Sequence, residues 1–201
     1  KDLFETNYRG EVDECNTKVL SLLSRLWDKH GGYGGIPNND IEVTEDARST
    51  ITYLADVVRF SRATVTDASG DEEPTPHREK PHRVGAVLRD IAKGRALLDE
   101  RTNVTVGDVV VSARIALSTM PQKRRPTVRA LLNPANDGQL TRNEVQDALD
   151  VSKPTALNQM KLMDTLGIAE FTEVEDDGRG TKKLELKEEF QWPEVLPFPD
   201  R

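Results

Sequence analysis

Apolar residues recur at helical spacing along most of this chain. Between Glu11 and Lys29 they fall at Cys15, Val19, Leu22, Leu23 and Leu26, with Trp27 at the edge. That period predicts a helix with one apolar stripe. Residues 1–10 are polar and carry little pattern, and Gly31-Gly32-Tyr33-Gly34-Gly35 ends the helix. Thr44 is placed to cap a second helix, with Glu45 and Asp46 in the first turn and Ala47, Ile51, Leu54, Ala55 and Val58 inward. A polar break at about 65–80 holds Asp71-Glu72-Glu73-Pro74-Thr75-Pro76 and reads as an exposed, mobile loop. Pro81 to about Glu100 is the next helix, with Val84, Val87, Leu88, Ile91, Ala92 and Leu98 as its apolar positions. Thr105 and Asp108 have the spacing of a capping box and open a fourth helix, with Val109, Val110, Ala113 and Leu117 inward.

The rest of the chain changes rhythm. A short helix runs over Arg125–Leu132 with Val128, Leu131 and Leu132 on one side, and Asn133-Pro134-Ala135-Asn136-Asp137-Gly138 breaks it. Thr141-Arg142-Asn143-Glu144 is a second capping box, with Val145, Ala148 and Leu149 inward. Ser152 is placed to cap a further helix whose stripe is Ala156, Met160, Met163 and Leu166. Gly167 stops that helix, with Ile168 where a Schellman hydrophobe belongs. Ala169–Val174 and Thr181–Leu186 then read as two strands around a turn at 175–180. Three prolines forbid a regular helix after Leu186, yet Phe190, Trp192, Leu196 and Phe198 call for burial. The reading is an extended tail strapped over the domain, with a partner-docking peptide as the alternative.

Composition narrows the picture. The 201 residues suit one or two domains, at 36% hydrophobic and 31% charged. A net charge of −7 argues against coating nucleic acid through a global field, so any DNA contact has to come from a local basic face. The single cysteine, Cys15, excludes an internal disulfide and suits a reducing, cytoplasmic setting; its place on an apolar stripe reads as core. No apolar run reaches the roughly 20 residues of a membrane span. The glycines around Tyr33 match neither common phosphate-binding spacing and read as a loop. His30, His77 and His82 form no metal motif, so no metal is expected.

Three helices followed by a hairpin, with a tight turn between the second and third, resemble the winged helix-turn-helix family over 125–186. That resemblance implies that the third helix enters the major groove of double-stranded DNA. Lys153 and Lys161 would then meet phosphate, Thr155 faces outward beside them, and Asn158 and Gln159 could read adenine. Thr141 and Arg142 could hold the backbone, Lys123, Arg124, Arg125 and Arg129 add a basic cluster, and Lys182 and Lys183 lie on the wing. Against this, Glu175, Asp176 and Asp177 sit at the wing tip, offset by Arg179. Leu157 stands where many such helices present a polar residue.

The run from Lys80 to Val109 carries a second resemblance. Pro81-His82-Arg83 opens a helix, and Val104-Thr105-Val106-Gly107-Asp108-Val109 opens the next. This looks like the helical lid of AAA+ ATPases of the group containing MoxR proteins, magnesium chelatase and the MCM helicases, over about 44–120. Gly94-Arg95 comes earlier than the family's Gly-Arg element, and Glu100-Arg101 stands in its place. MCM-type proteins also carry a winged helix directly after this lid. The resemblance makes Arg83 the candidate for the nucleotide-sensing arginine called sensor 2. There is no Walker A or Walker B motif, so the chain is expected to be no enzyme by itself, and ATP enters only with an ATPase core elsewhere.

The expected architecture is therefore mostly α. A lid-like helical domain spans 1–120, and a winged-helix domain with a small hairpin wing and a Pro/aromatic tail spans 121–201. The expected function is the non-catalytic C-terminal portion of an MCM-like AAA+ protein, binding or regulating access to DNA, with an AAA+ core or like subunits as further partners. A free-standing winged-helix transcription regulator and a protein-docking adaptor are the alternatives.

Overall fold

The computed structural model describes residues 2–35, 41–66, 75–176 and 179–199, with the backbone alone at 2–11, 33, 174–176 and 179–180. The protein is mostly helical with small sheets. Helix α1 covers Asp2–His30, so it starts well before Glu11. Strand β1 (Glu42–Val43) and helix α2 (Glu45–Ser61) follow, then strands β2 (Thr64–Thr66) and β3 (Thr75–His77). Helix α3 (Pro81–Leu98), strand β4 (Asn103–Val104) and helix α4 (Val106–Ser118) complete the first half.

Helices α2, α3 and α4 pack on one another because each turns a continuous apolar face inward. Leu54 and Val58 of α2, Leu88 and Ala92 of α3, and Val109, Ala113 and Leu117 of α4 are all buried. Thr44 caps α2 as its position predicts, its hydroxyl accepting from the Ala47 N–H at 3.4 Å. Ser112 donates to the Leu88 carbonyl at 2.9 Å, which satisfies a hydroxyl inside the bundle. The capping box of α4 also forms: Asp108 Oδ2 accepts from the Thr105 N–H at 2.9 Å. Asp108 is buried, and Arg101 grips both of its oxygens, one at 2.7 Å. The segments before Thr44 and Thr105 meet as a parallel pair, Glu42 opposite Asn103 and Val43 opposite Val104.

Three expectations need correction. Val87 and Leu98, read as inward, are 56% and 40% exposed, because α3 presents only its Val84, Leu88, Ala92 and Ala96 face to the bundle. Part of the segment read as a mobile loop is ordered: β2 and β3 pair antiparallel, Val65 opposite Pro76. Residues 67–74, with Asp71, Glu72, Glu73 and Pro74, lie outside the described residues. Cys15 is exposed rather than core. Among the described residues of α1 no side chain is fully buried: Leu22, Leu23 and Leu26 are half-buried, and Cys15 and Val19 are exposed.

The second half continues with helix α5 (Arg125–Leu132), strand β5 (Gln139–Thr141), helix α6 (Arg142–Leu149) and helix α7 (Lys153–Leu166). Strands β6 (Ala169–Asp176) and β7 (Arg179–Leu186) close it. The sheet order is β5-β7-β6, all antiparallel, with Leu140 and Phe171 both opposite Leu184. Val128, Leu131 and Leu132 of α5 face Val145 of α6 and the Met160 and Met163 side of α7 across one buried core. Ala148 of α6 is exposed and Leu149 half-buried, so of the three residues read as inward only Val145 is fully enclosed.

The tail binds the two halves together. Phe190, Trp192 and Leu196 are buried, and Phe198 packs against the same core. The Tyr53 hydroxyl of α2 donates to the Phe190 carbonyl at 2.8 Å, and burial raises its pKa above the usual phenol value. Phe60 of α2 meets Phe190 edge to face at 5.0 Å. The strapped tail read from the sequence is thus present, and its aromatic anchors reach back onto the first half of the chain.

Candidate nucleic-acid interface

The site is built on α6, α7 and the β6–β7 hairpin. Local chemistry fixes both helices. Thr141 and Glu144 form the reciprocal box expected: the Thr141 N–H and hydroxyl donate to Glu144 Oε2 at 2.6 and 2.8 Å. The first of these bonds holds the Glu144 carboxyl below the usual carboxylate range. Asp150, at φ 51, makes the tight turn between the helices in the left-handed region. Ala156, Met160, Met163 and Leu166 bury one side of α7. Gly167, at φ +81, ends it, with Gly167 N–H donating to the Asp164 carbonyl and Ile168 N–H to Met163.

Burying that stripe turns Lys153, Thr155, Asn158 and Lys161 to solvent. Thr155, Asn158 and Lys161 recur at helical spacing and form one polar ridge. Ser152 occupies the N-cap position, but its hydroxyl meets the Thr155 hydroxyl at 3.0 Å and makes no side-chain cap bond to the backbone. Gln159 is half-buried and its Oε1 has no hydrogen-bond partner. It therefore sits beside the core instead of on the ridge. Leu157 is half-buried as well. Thr141 is engaged in its box, and Arg142 is half-buried with an unpartnered, buried Nε.

The basic residues divide sharply. Lys123 is exposed. Arg124 donates to the Ser61 and Ala63 carbonyls at 3.1 and 2.7 Å, and its burial lowers its pKa. Arg125 donates to the Met120 carbonyl at 3.1 Å. Arg129 donates to the Pro199 carbonyl at 2.9 Å and lies 5.5 Å from the Phe198 ring centre. The run at 123–129 therefore does not present a four-residue basic patch; three of its cations tie chain segments together. On the hairpin, Lys182 pairs with Glu173 at 2.7 Å, and this bond, helped by the field of Lys161, lowers the Glu173 pKa. Lys183 remains exposed. At the tip, Asp177 lies outside the described residues, as do the side chains of Glu175, Asp176 and Arg179.

A second constellation lies at the start of α3. Lys80 precedes it without a side-chain cap bond, and Pro81 occupies its first turn. Arg83 has an 80% exposed side chain and reaches Glu79 only at 3.8 Å, a distance that Arg62 matches from the other side. His82 turns instead toward an open groove of about 810 Å³ between α2 and α3, where Arg48, Arg89 and Lys93 also line the wall. Sequence reasoning missed this convergence, because Arg48 and Arg89 belong to different helices and carry no shared motif.

Among the described residues there is no group of three or more His, Cys, Asp or Glu side chains placed to hold a metal, and no helix is long and apolar enough to cross a membrane. No family model, curated protein or solved structure matches this chain.

Proposed function

We propose that this chain is the non-catalytic C-terminal portion of an MCM-like AAA+ protein. In this reading its second half binds duplex DNA, or governs access to it, through α7. The observation that carries the proposal is the order α5, β5, α6, α7, β6, β7 with β5 paired to β7. Strand β5 lies between the first two helices and joins the hairpin in one sheet, so the three helices and the hairpin share one framework, which supports the winged-helix reading. In this reading the exposed Thr155, Asn158 and Lys161 ridge would meet base edges and phosphate. The first half supports the lid reading through α2, α3 and α4, with Arg83 exposed at the start of α3 and held only by a long ion pair to Glu79, where its guanidinium fork would suit a phosphate. ATP would belong to a core outside this chain.

A protein-docking adaptor is the second reading. It is favoured by one specific feature, the neutralisation of Lys182 by Glu173 beside α7, which thins the positive field of the hairpin. The two readings separate in a titration of labelled duplex with the full chain at low and high salt. DNA binding through a few cations weakens steeply as salt rises, because condensed counterions are released on binding. Salt-sensitive affinity supports the DNA reading. Absence of binding at low salt, or equal affinity for an uncharged polymer, removes it and leaves the adaptor.

A further inference from the structure

Helix α1 carries an apolar seam that the described fold leaves exposed at Val12, Cys15 and Val19 and only half-covered at Leu22 and Leu26. Val12, Cys15, Val19, Leu22 and Leu26 follow one another at alternating intervals of three and four residues. That 3.5-residue period is the seam of a helix lying along another helix, and Leu23 widens it on one side. Helix α2 shows the contrast: Ala47, Thr50, Ile51, Leu54, Val57 and Val58 are all buried on one broad side. On α1 the seam residues Val12 and Val19 are 41% and 47% exposed, and Cys15 is exposed too. Its end is tethered to the rest of the protein by the Lys29–Glu100 ion pair at 2.7 Å.

Charge along the helix says what the seam fits. The sequence of α1 places Asp2, Glu5, Glu11, Asp13 and Glu14 with one cation, Arg9, in its first half, and Lys18, Arg25 and Lys29 with one acid, Asp28, in its second, so the first half is net acidic and the second net basic. We propose that α1 pairs antiparallel with α1 of a second copy of this chain. In that pair Val12 lies against Leu22 of the other copy and Cys15 against Val19. The acidic half of each helix faces the basic half of the other, and the helix dipoles oppose favourably. A parallel pair would set acid against acid. Leu20 and Trp27, 62% and 39% exposed, flank the seam and cover its edge. This pairing stands independently of the DNA reading.

The test is the molar mass of the full 201-residue chain, by light scattering in reducing buffer from micromolar to hundreds of micromolar concentration. The expected result is twice the chain's mass, falling toward one on dilution. Val19→Glu, at a position exposed in the single chain, is expected to give the monomer mass at every concentration, with the thermal midpoint of wild type measured at a dilution where wild type is itself a monomer. Polarity is read by cross-linking. In a Cys15→Ala background, Val12→Cys with Leu22→Cys is expected to form chain-to-chain disulfides on mild oxidation. Wild-type Cys15 is expected to cross-link poorly, since the two thiols are staggered by about four residues, or ~6 Å along the axis. A monomer at every concentration overturns the proposal, as does a dimer that Val19→Glu leaves intact. Efficient cross-linking through Cys15 alone overturns the antiparallel arrangement.

Discussion

Arg78 places its guanidinium 3.0 Å from the carbonyl oxygen of Leu166, the last residue of α7. The end of a helix leaves carbonyls without intrahelical partners, and a cation there also meets the negative pole of the helix. The same guanidinium sits 4.2 Å from the centre of the Phe60 ring, and Phe60 in turn packs on Phe190 of the tail. One side chain following β3 therefore joins α2 to α7, and Phe60 carries the link on to the tail. The helix that carries the proposed DNA contacts is fixed to the first half of the chain by this contact.

Arg78→Ala is expected to lower stability by about 0.5–1.5 kcal/mol, the net worth of one hydrogen bond, with a further contribution of about 0.5–1 kcal/mol from the ring contact. Arg78→Lys retains charge but loses the planar fork and recovers only part of the loss. Urea midpoints of the three proteins check this. Equal midpoints mean that the junction is held by apolar packing alone.

Gly167→Val is expected to cost more. At φ +81 a β-branched residue is strained by about 1–2 kcal/mol. A Cβ there would also approach Arg78 Nη2 at 3.2 Å and the Phe60 ring at 3.5 Å. Gly167→Asn tolerates the left-handed region better and is expected to lose less. The order glycine, asparagine, valine in thermal midpoint is the outcome to look for, and asparagine below valine contradicts it.

Asp108 and Arg101 yield a pH signature. Burial opposes ionisation of Asp108, but the hydrogen bonds from Arg101 and then Thr105 outweigh it and hold its carboxyl below the usual carboxylate range. A depressed folded pKa contributes stability that is fully present above the unfolded value of about 4 and is lost as pH falls through the folded value. Asp108→Asn is therefore expected to cost about 1–3 kcal/mol near neutrality. The gap from wild type should narrow as pH drops below about 4. Arg101→Ala is expected to destabilise as well, since it leaves a buried carboxylate without its cation. A gap that stays constant from neutrality into acid would show that Asp108 acts through shape and not through charge.

What was legible in the sequence was local. Thr141 with Glu144, Thr105 with Asp108, and Gly167 with Ile168 announce helix ends because their partners lie within a few residues. What was hidden depends on distant partners. Strand β5 has three residues and is a strand only because Lys183 and its neighbours arrive opposite it. Arg124 reads as part of a basic run, yet its acceptors at Ser61 and Ala63 are 63 and 61 residues away. The stripe of α1 was visible as apolar, but spacing names a face without naming what covers it. Cys15 reads as core from its place on that stripe, yet it is exposed.

Arg83 is testable only where an ATPase core is present. Its side chain is 80% exposed and its ion pair with Glu79 is long, at 3.8 Å, which suits the proposed role. In a full-length protein Arg83→Ala is expected to lower the turnover number at saturating ATP with the fold intact, because charge on the transferred group develops in the transition state. Arg83→Lys is expected to rescue poorly, since an ammonium lacks the bidentate fork. Turnover of the alanine variant at the wild-type rate would make Arg83 an ordinary surface residue.

The DNA reading makes its sharpest demand on residues that look alike in sequence. Lys161 and Asn158 lie on the open ridge of α7, whereas Arg124 and Arg129 are bound to main-chain carbonyls. Lys161→Ala is expected to weaken duplex binding for every sequence and to reduce the slope of log affinity against log salt by about 1, with little change in stability. Asn158→Ala is expected to weaken binding by about 1–3 kcal/mol at preferred sites only, leaving the salt slope unchanged. Arg124→Ala behaves in the opposite way. It leaves the Ser61 and Ala63 carbonyls unpaired and lowers the denaturant midpoint, while the folded fraction binds DNA with an unaltered salt slope. Paired titrations and unfolding curves for the three variants distinguish these cases. If Arg124→Ala reduces the salt slope as much as Lys161→Ala does, the DNA path runs along α5 and the ridge of α7 is not the contact surface.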